Sequence, residues 1–293
     1  MKKFPFLAVV IAAALIAAVV LFLERADQRP DGSDVRRGPG KETPKKASTG
    51  KPSIPGLAPT PPGTTHRGRL VAVIIDDIGF DLRVVEEMAG IPAPIAFAVL
   101  PHAPHAAEAA KLLHAAGKEI LLHLPMEPRS YPEESPGPGA LMANMDDGEI
   151  RSLIREDLAA VPFVSGVNNH MGSRFMEDGD RLAVVMGELK KRDLFFVDSR
   201  TTADSRGREA AGRMGVRFAA RDVFIDSAPG YEIALDNLTG ALRQARRNGG
   251  PVLMIGHPHK DTVRAIRDAL PIWRKEGITM IPLSACIPKE NIR

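Results

Sequence analysis

The chain contains very few cysteine and aromatic residues. Among its 293 residues there are one Cys, one Trp and two Tyr. The single Cys286 excludes an intrachain disulfide, so a domain of this sequence relies on its apolar core for stability. The sequence also has no internal repeat, no glycine-rich phosphate-binding loop and no Gly-x-Ser-x-Gly nucleophile elbow. These absences argue against repeat proteins, P-loop enzymes and serine hydrolases of that type.

The N-terminal part has the composition of a membrane anchor followed by a linker. Residues 4–23 are uncharged and mostly apolar, a stretch long enough to span a bilayer as a helix. Lys2 and Lys3 favour a cytoplasmic N-terminus, which leaves the rest of the chain outside the cytoplasm. We therefore expect an anchor at residues 1–23, with a cleaved signal peptide as the alternative. Residues 24–68 are rich in Pro, Gly, Lys and Thr and should form a flexible, disordered linker.

Positive charge is concentrated in this N-terminal part. Residues 24–67 contain nine Lys or Arg and five Asp or Glu, and Lys2 and Lys3 add two more positive charges. Because the whole chain has a formal net charge of +3, residues 68–293 carry a net charge of −3. A mildly acidic domain argues against nucleic acid as a partner.

Seven apolar runs alternate with helical patterns over the rest of the chain. The runs, each of which leads into polar residues, occupy residues 70–75, 95–100, 119–122, 165–167, 194–197, 223–225 and 252–256. The helical patterns lie at residues 82–89, 106–116, 147–160, 181–192 and 235–248. Strands that alternate with helices are typical of a parallel sheet. Polar residues at several strand ends favour a (β/α) barrel, where they converge on one rim. About 225 residues are enough for one such domain, at residues 69–293.

The first apolar run ends in two adjacent aspartates, Asp76 and Asp77. Carboxylates at a buried strand tip are costly to desolvate unless a metal ion or a proton lies between them. Because consecutive strand residues point in opposite directions, one Asp is able to bind a metal while the other acts as a base. The alternative is an Asp pair that caps the helix predicted at residues 82–89.

Five segments together resemble the polysaccharide deacetylases, and more closely the divergent branch of that family in bacterial envelopes. In chain order they are VAVIIDDIG, GKEILLHLPMEP, GVNNHMGSRF, LFFVDSRT and VLMIGHPH, and the similarity spans residues 69–288. The resemblance implies a distorted (β/α) barrel of seven or eight parallel strands. It also implies the removal of N- or O-acetyl groups from a sugar polymer with the help of a divalent metal, usually zinc.

The resemblance also implies roles for individual residues. The family's Asp pair supplies a general base and a metal ligand, which correspond to Asp76 and Asp77. His123 matches the first histidine of the next motif, but Glu127 stands where the family has a second one. His170 stands at a strand end where the family has Arg-Pro. The implied metal ligands are Asp77, His123 and His170, and a set that uses Glu127 is the alternative.

Four residues complete the implied site. Asp198 matches the acidic residue of the fourth motif, and His257 matches the histidine of the fifth. His257 is expected to be the general acid that protonates the leaving group. Arg174 is a candidate donor to the developing oxyanion, and Glu127, Arg174 and Asp198 are expected to contact the substrate.

Two other polar residues at strand ends have simpler interpretations. His102 follows the second apolar run and a proline, and we expect it to lie outside the site. Asp226 fits an ordinary capping role.

The predicted function is therefore metal-dependent deacetylation of an envelope polysaccharide. The protein would be held in the bacterial inner membrane by residues 1–23, with residues 69–293 on the periplasmic side. One alternative is a protein with this fold that has lost turnover and binds polysaccharide or scaffolds envelope partners, which the departures at Glu127 and His170 suggest. Hydrolysis of a different bond, such as a phosphoester, is less favoured because few basic residues stand at the strand ends.

Overall fold

The structure is a computed structural model that describes residues 69–248 and 250–288, with the side chains of residues 241–248 left aside. Its strands are β1 (Leu70–Ile78), β2 (Ala96–Val99), β3 (Glu119–Met126), β4 (Val164–Met171), β5 (Phe195–Asp198), β6 (Phe218–Ala220), β7 (Val223–Phe224), β8 (Val252–Gly256) and β9 (Thr279–Met280). Its α-helices are α1 (Leu82–Ala89), α2 (Ala106–Ala115), α3 (Asp147–Ala160), α4 (Gly179–Lys190), α5 (Gly207–Met214), α6 (Tyr231–Asn248), α7 (Lys260–Lys275) and α8 (Leu283–Cys286).

The nine strands form a single parallel sheet. Their order is β6-β5-β4-β3-β2-β1-β8-β7, and β9 pairs with the beginning of β1. The two outermost strands, β6 and β7, are separated in the chain by only Arg221 and Asp222. The sheet must therefore curl until its edges approach each other, which gives an α/β half-barrel. The predicted parallel α/β class is confirmed, and the two-residue strands β7 and β9 raise the strand number above the predicted seven or eight.

Alternate residues of the strands face two different cores. The odd-numbered residues of β1 pack with the helices in the outer core. Even-numbered residues such as Ile74 lie in a smaller inner core, together with Leu121 of β3 and Ile255 of β8. Side chains alternate along a strand, so the next residues of the inner row reach the mouth of the curled sheet. Those residues are Asp76, His123 and His257.

The helices begin where capping residues stand in the sequence. Asp146 forms a capping box with Glu149 at the start of α3, which has the predicted bounds. α4 begins two residues before the predicted position because the carboxylate of Asp178 accepts hydrogen bonds from the main-chain N–H groups of Asp180 and Arg181. The sequence patterns missed α5 and α7 altogether.

No helix within the two described ranges is both long and apolar enough to cross a bilayer. The anchor predicted at residues 1–23 and the linker predicted at residues 24–68 lie outside the described residues, as do the last five residues of the predicted domain.

Candidate metal centre

Three side chains from different strands meet at the mouth of the curled sheet. Asp77 stands at the end of β1, His123 on β3 and His170 on β4. Oδ1 of Asp77 lies 3.2 Å from Nε2 of His123 and 3.0 Å from Nδ1 of His170. The two ring nitrogens are 3.1 Å apart. The carboxyl ends of the parallel strands thus bring one carboxylate and two imidazoles to a single point.

The backbone at Asp77 departs from regular strand geometry. Its φ of 57° is left-handed, and the pairing of β1 with β2 is irregular between Ile75 and Ile78. Such a conformation costs roughly 1–2 kcal/mol for an ordinary residue and less for Asp. The carboxylates of Asp76 and Asp77 consequently lie 3.7 and 3.2 Å from the same nitrogen of His123. The expectation that the two side chains point in opposite directions was wrong, because it assumed an unbroken strand.

The three side chains fit a divalent metal ion. Their potential ligand atoms all lie within 4.8 Å of one another. Oδ1 of Asp77 is buried, and its contacts in the described part of the chain are those with the two ring nitrogens, which are themselves potential ligands. Burial raises the pKa of the Asp77 carboxyl, but His123 and His170 outweigh this effect and hold the pKa well below its usual range. One ionised carboxylate with two imidazoles is a ligand set that catalytic zinc uses in proteins.

Asn168 of β4 orients the buried His123. The side-chain oxygen of Asn168 accepts a hydrogen bond from Nδ1 of His123 over 2.9 Å. Because that oxygen is an acceptor, Nδ1 carries a proton and Nε2 is the nitrogen that faces Asp77. Metal-ligating histidines usually have such a partner on the other ring nitrogen. The sequence analysis assigned no function to Asn168, although it belongs to the segment GVNNHMGSRF at the end of an apolar run.

Asp76 lies beside the three potential ligands but has different partners. Its Oδ1 accepts a hydrogen bond of 2.8 Å from the amide nitrogen of Asn168. The residue is only 3% exposed. Burial raises the pKa of the Asp76 carboxyl, and this effect exceeds the opposing influence of His123 and the Asn168 hydrogen bond. A buried carboxyl with a raised pKa is suited to accept a proton near neutral pH.

His257, at the end of β8, approaches the centre from another direction. Its Nε2 lies 3.8 Å from Oδ2 of Asp77, the oxygen that does not face the two other histidines. Its Nδ1 hydrogen-bonds with Asp226 over 3.1 Å, and its main-chain N–H donates to the same carboxylate. Burial lowers the pKa of His257, but Asp226 together with the Asp pair raises it overall. Asp226 thus does more than cap main-chain N–H groups, because its carboxylate also pairs with the ring of His257, 31 residues away in the chain.

The sequence model of the divergent polysaccharide deacetylases matches residues 73–287, a range that includes every residue of this site. The chain belongs to that family. It is 37% identical over 198 residues to the protein YibQ of Escherichia coli K12, and the match covers 67% of this chain and 61% of YibQ. The chain thus spans less than two thirds of YibQ. A Haemophilus influenzae protein is 30% identical over 200 residues, with 68% of this chain and 70% of that protein covered.

A solved structure has the same fold. The crystal structure of protein ATU2773 from Agrobacterium tumefaciens superposes with a TM-score of 0.71 at 25% sequence identity. The match covers 76% of this chain and 91% of that chain. The resemblance found in five sequence segments is therefore confirmed at the level of the family and its curled parallel sheet.

Glu127 has hydrogen-bond partners outside the group of Asp77, His123 and His170. Its Oε1 accepts a hydrogen bond of 2.8 Å from Arg174, and its Oε2 accepts one of 2.5 Å from the main-chain N–H of Ala143. Glu127 is buried, and its carboxylate is not among the ligand atoms that meet at Asp77. The guanidinium of Arg174 is tethered by this pair while its side chain stays 60% exposed.

Asp198, at the end of β5, organises the loop that follows it. Its Oδ1 accepts a hydrogen bond from the main-chain N–H of Arg200, and its Oδ2 accepts one from the hydroxyl of Ser205. Among its contacts in the described ranges, none reaches Asp77 or the two histidines beside it. Asp198 therefore fixes the conformation of the loop after β5 and makes no direct contact with the potential ligands.

A cleft of about 360 Å³ opens beside the centre, and its lining includes Asp77, His170 and His102. His102 was expected to lie outside the site, and this expectation was wrong. Its Nε2 contacts Oδ1 of Asp157, a fully buried residue of α3, over 2.8 Å. A Cβ at Gly139 would lie 2.4 Å from the His102 ring, so only glycine fits beside this pair. No local signal linked these residues, because 55 positions separate His102 from Asp157.

A second group of potential ligand atoms belongs to Asp226, His257 and His259. This group contains the hydrogen-bonded pair of His257 and Asp226. Both oxygens of Asp226 accept hydrogen bonds, from His257 and from the hydroxyl of Thr262. We therefore assign the metal site to the group around Asp77.

Proposed function

We propose that this protein is a metal-dependent hydrolase that removes acetyl groups from an envelope polysaccharide. The observation that carries the proposal is the meeting of Asp77, His123 and His170, with Asp76 and His257 beside them as separate proton-transfer groups. Membership in the divergent polysaccharide deacetylase family supports the substrate class.

A divalent cation, zinc in this proposal, would be held by Asp77, His123 and His170. When bound, the cation supplies a Lewis acid that polarises an acetyl carbonyl and lowers the pKa of water. Asn168 keeps His123 in the tautomer that presents Nε2 to this position.

Asp76 acts as the general base. Its raised pKa and its place beside His123 suit it to take the proton of the attacking water. The amide of Asn168 donates to one oxygen, which leaves the other free for that proton. The same Asn168 side chain thus orients a metal ligand and the base together.

His257 acts as the general acid. Its Nδ1 is held by Asp226, so its Nε2 is available to protonate the departing nitrogen or oxygen. Asp226 also favours the charged imidazole, which raises the fraction of His257 that carries the proton near neutral pH. The exposed Arg174, steadied by Glu127, is proposed to hydrogen-bond the substrate, and Asp198 is proposed to shape the loop that contacts it.

The proposal extends to location. The uncharged stretch at residues 4–23 supports a single-pass anchor in the bacterial inner membrane, with residues 69–293 on the periplasmic side. A reporter that is active only after export, fused after Arg293, should be active. A mature N-terminus near Asp27 would instead indicate a cleaved signal peptide.

The function is tested by metal analysis combined with acetate release. Protein purified without added metal should contain about one divalent ion per chain, and it should release acetate from acetylated glycans. The Asp77→Ala variant should contain no metal and release no acetate. If the wild-type protein binds metal but releases no acetate from several acetylated glycans, the deacetylase proposal is wrong and the binding-protein alternative is favoured.

A further inference from the structure

A second cavity lies at the same edge of the sheet, at the carboxyl ends of β5 and β6. It has a volume of about 650 Å³, within the roughly 300–1,000 Å³ of typical ligand pockets. Three arginines contribute to its wall: Arg200, Arg208 and Arg221. None of them takes part in the proposed deacetylation.

None of the three arginines forms an ion pair within the described ranges, although Asp198 and Asp222 lie near enough to Arg221 to act on its charge. Within the described ranges, the guanidinium groups of Arg200 and Arg208 form no ion pair, and Arg208 lies over the ring of Phe218 at 5.1 Å. Arg221 donates to the main-chain carbonyls of Ser199 and Arg200. The wall thus presents positive charge that is fixed in position by an aromatic ring and by main-chain acceptors.

Two aspartates also line the cavity, and three of their four oxygens accept hydrogen bonds from other groups. Asp198 accepts from the main-chain N–H of Arg200 and from the Ser205 hydroxyl. Asp222 accepts from the main-chain N–H of Leu253 over 2.9 Å. With three arginines and two aspartates the wall is net positive, although residues 68–293 together carry −3. The cavity wall is therefore positively charged within a domain of net negative charge, which suits it to bind a single small anionic group.

The cavity is connected to the proposed active site through one residue. Ser199 lies between Asp198 and Arg200 in the chain, and its hydroxyl is 3.4 Å from the amide nitrogen of Asn168. Asn168 in turn contacts both His123 and Asp76. The wall of the cavity is thus joined to the proposed active site by a short series of contacts through Ser199 and Asn168.

We propose that the cavity binds an anionic substituent, a carboxylate or a phosphate, on a sugar that neighbours the one being deacetylated. The proposal rests on the proposed function for the identity of the polymer, but the binding itself needs no turnover. Arginine matches both kinds of oxyanion because its planar guanidinium donates two parallel hydrogen bonds. The substrate would then be an acidic glycan.

The test is direct binding to the full-length, metal-loaded chain, measured by calorimetry. Tetragalacturonate, which has a carboxylate on every sugar, should bind at least 10-fold more tightly than the neutral tetragalactose. Arg200→Gln and Arg208→Gln should each reduce that preference by about 3- to 10-fold. Arg213→Gln is the matched control, since Arg213 is on the same helix as Arg208 but pairs with Asp180 outside the cavity. Equal affinity for both tetrasaccharides, or a preference that the Arg200 and Arg208 variants retain, would overturn the proposal.

Further measurements distinguish a phosphate from a carboxylate as the bound group, and distinguish failure of the cavity proposal from failure of the deacetylase proposal. Glucose 6-phosphate that binds more tightly than glucuronate, with the difference lost in Arg208→Gln, would assign a phosphate-bearing sugar. The reverse order would assign a carboxylate. Charge-dependent binding by a protein that releases no acetate would overturn the deacetylase proposal alone. Acetate release without charge-dependent binding would overturn the cavity proposal alone.

Discussion

The amide nitrogen of Asn168 donates a 2.8 Å hydrogen bond to the buried carboxylate of Asp76. Through its oxygen the same side chain accepts from His123, so one residue couples the proposed base to a proposed metal ligand. In this orientation the amide N–H₂ group faces a carboxylate and the amide oxygen faces the N–H of an imidazole, so both ends of the side chain are matched to their partners. Asn168 therefore fixes the relative orientation of Asp76 and His123.

Loss of this side chain should weaken metal binding without removing a ligand. We expect Asn168→Ala to lower metal affinity by about 10- to 100-fold, as for other residues that orient a ligating histidine. Asn169→Ala is the matched control, since the partners of the Asn169 side chain among the described residues are main-chain groups of Met171 and Ser199 and the hydroxyl of Thr201. Metal titration of both variants measures the effect. Equal losses of affinity would show that Asn168 has only a structural role.

The adjacent aspartates should separate metal binding from proton transfer. Asp77→Ala should lose the metal, because Oδ1 of Asp77 is the carboxylate oxygen at the meeting point of the ligands. Asp76→Asn should keep the metal and lose about 10²- to 10⁴-fold in rate, since an amide cannot accept the proton. Metal content and acetate release measured on both variants provide the comparison. A complete loss of metal in Asp76→Asn would contradict the assignment.

The pair of His257 and Asp226 should set a measurable pKa. Asp226 raises the pKa of His257 against the opposing effect of burial, so Asp226→Asn should bring it down. An NMR titration of the His257 ring in both proteins measures this shift. The alkaline limb of the rate profile, which depends on protonated His257, should move to lower pH in the variant.

Removal of the imidazole tests its role as an acid. His257→Ala should cost about 10²- to 10⁴-fold in the rate of amide hydrolysis with little change in metal content. The loss should be smaller for an aryl acetate, whose leaving group needs no proton. Equal losses on both substrates would indicate that His257 only holds the neighbouring loop in place.

The site residues that stand at the ends of apolar strands could be predicted from the sequence. The inner row of β1 and β3 continues by the two-residue period into Asp76 and His123, so apolar runs followed by polar residues located them. The orientation of Asp77 was not predictable, because it depends on a left-handed φ and an irregular strand pairing that leave no mark in the composition.

Partners far apart in the chain were not predictable either. Asp226 reaches His257 across 31 positions, and Asp157 reaches His102 across 55. Each pair joins two elements whose relative placement is set by the packing of the whole sheet. The arginines of the 650 Å³ cavity were likewise hidden, since they come from two loops and a helix that the sequence patterns did not place together.

The carboxyl of Asp157 is buried beside His102. Burial raises its pKa to about 7, and the contact with His102 only partly opposes this. The folded protein therefore keeps a proton on Asp157 in a pH range where the unfolded chain has lost it. The contribution of this proton to the free energy of unfolding is fully present below about pH 4. It is lost as the pH rises towards 7, at roughly 1.4 kcal/mol for each pH unit at most.

Asp157→Asn removes this titration while it preserves the shape of the side chain. The free energy of unfolding of the wild type should fall relative to that of the variant between pH 4.5 and pH 8, as measured by urea denaturation. Glu156→Gln, which removes an exposed carboxylate that makes only the smallest contribution to the raised pKa of Asp157, is the control and should keep most of the wild-type pH dependence. A constant difference in stability between wild type and Asp157→Asn across this range would mean that Asp157 is ionised in the folded protein. His102 would then have to carry the compensating charge, because a buried carboxylate without a cation is strongly destabilising.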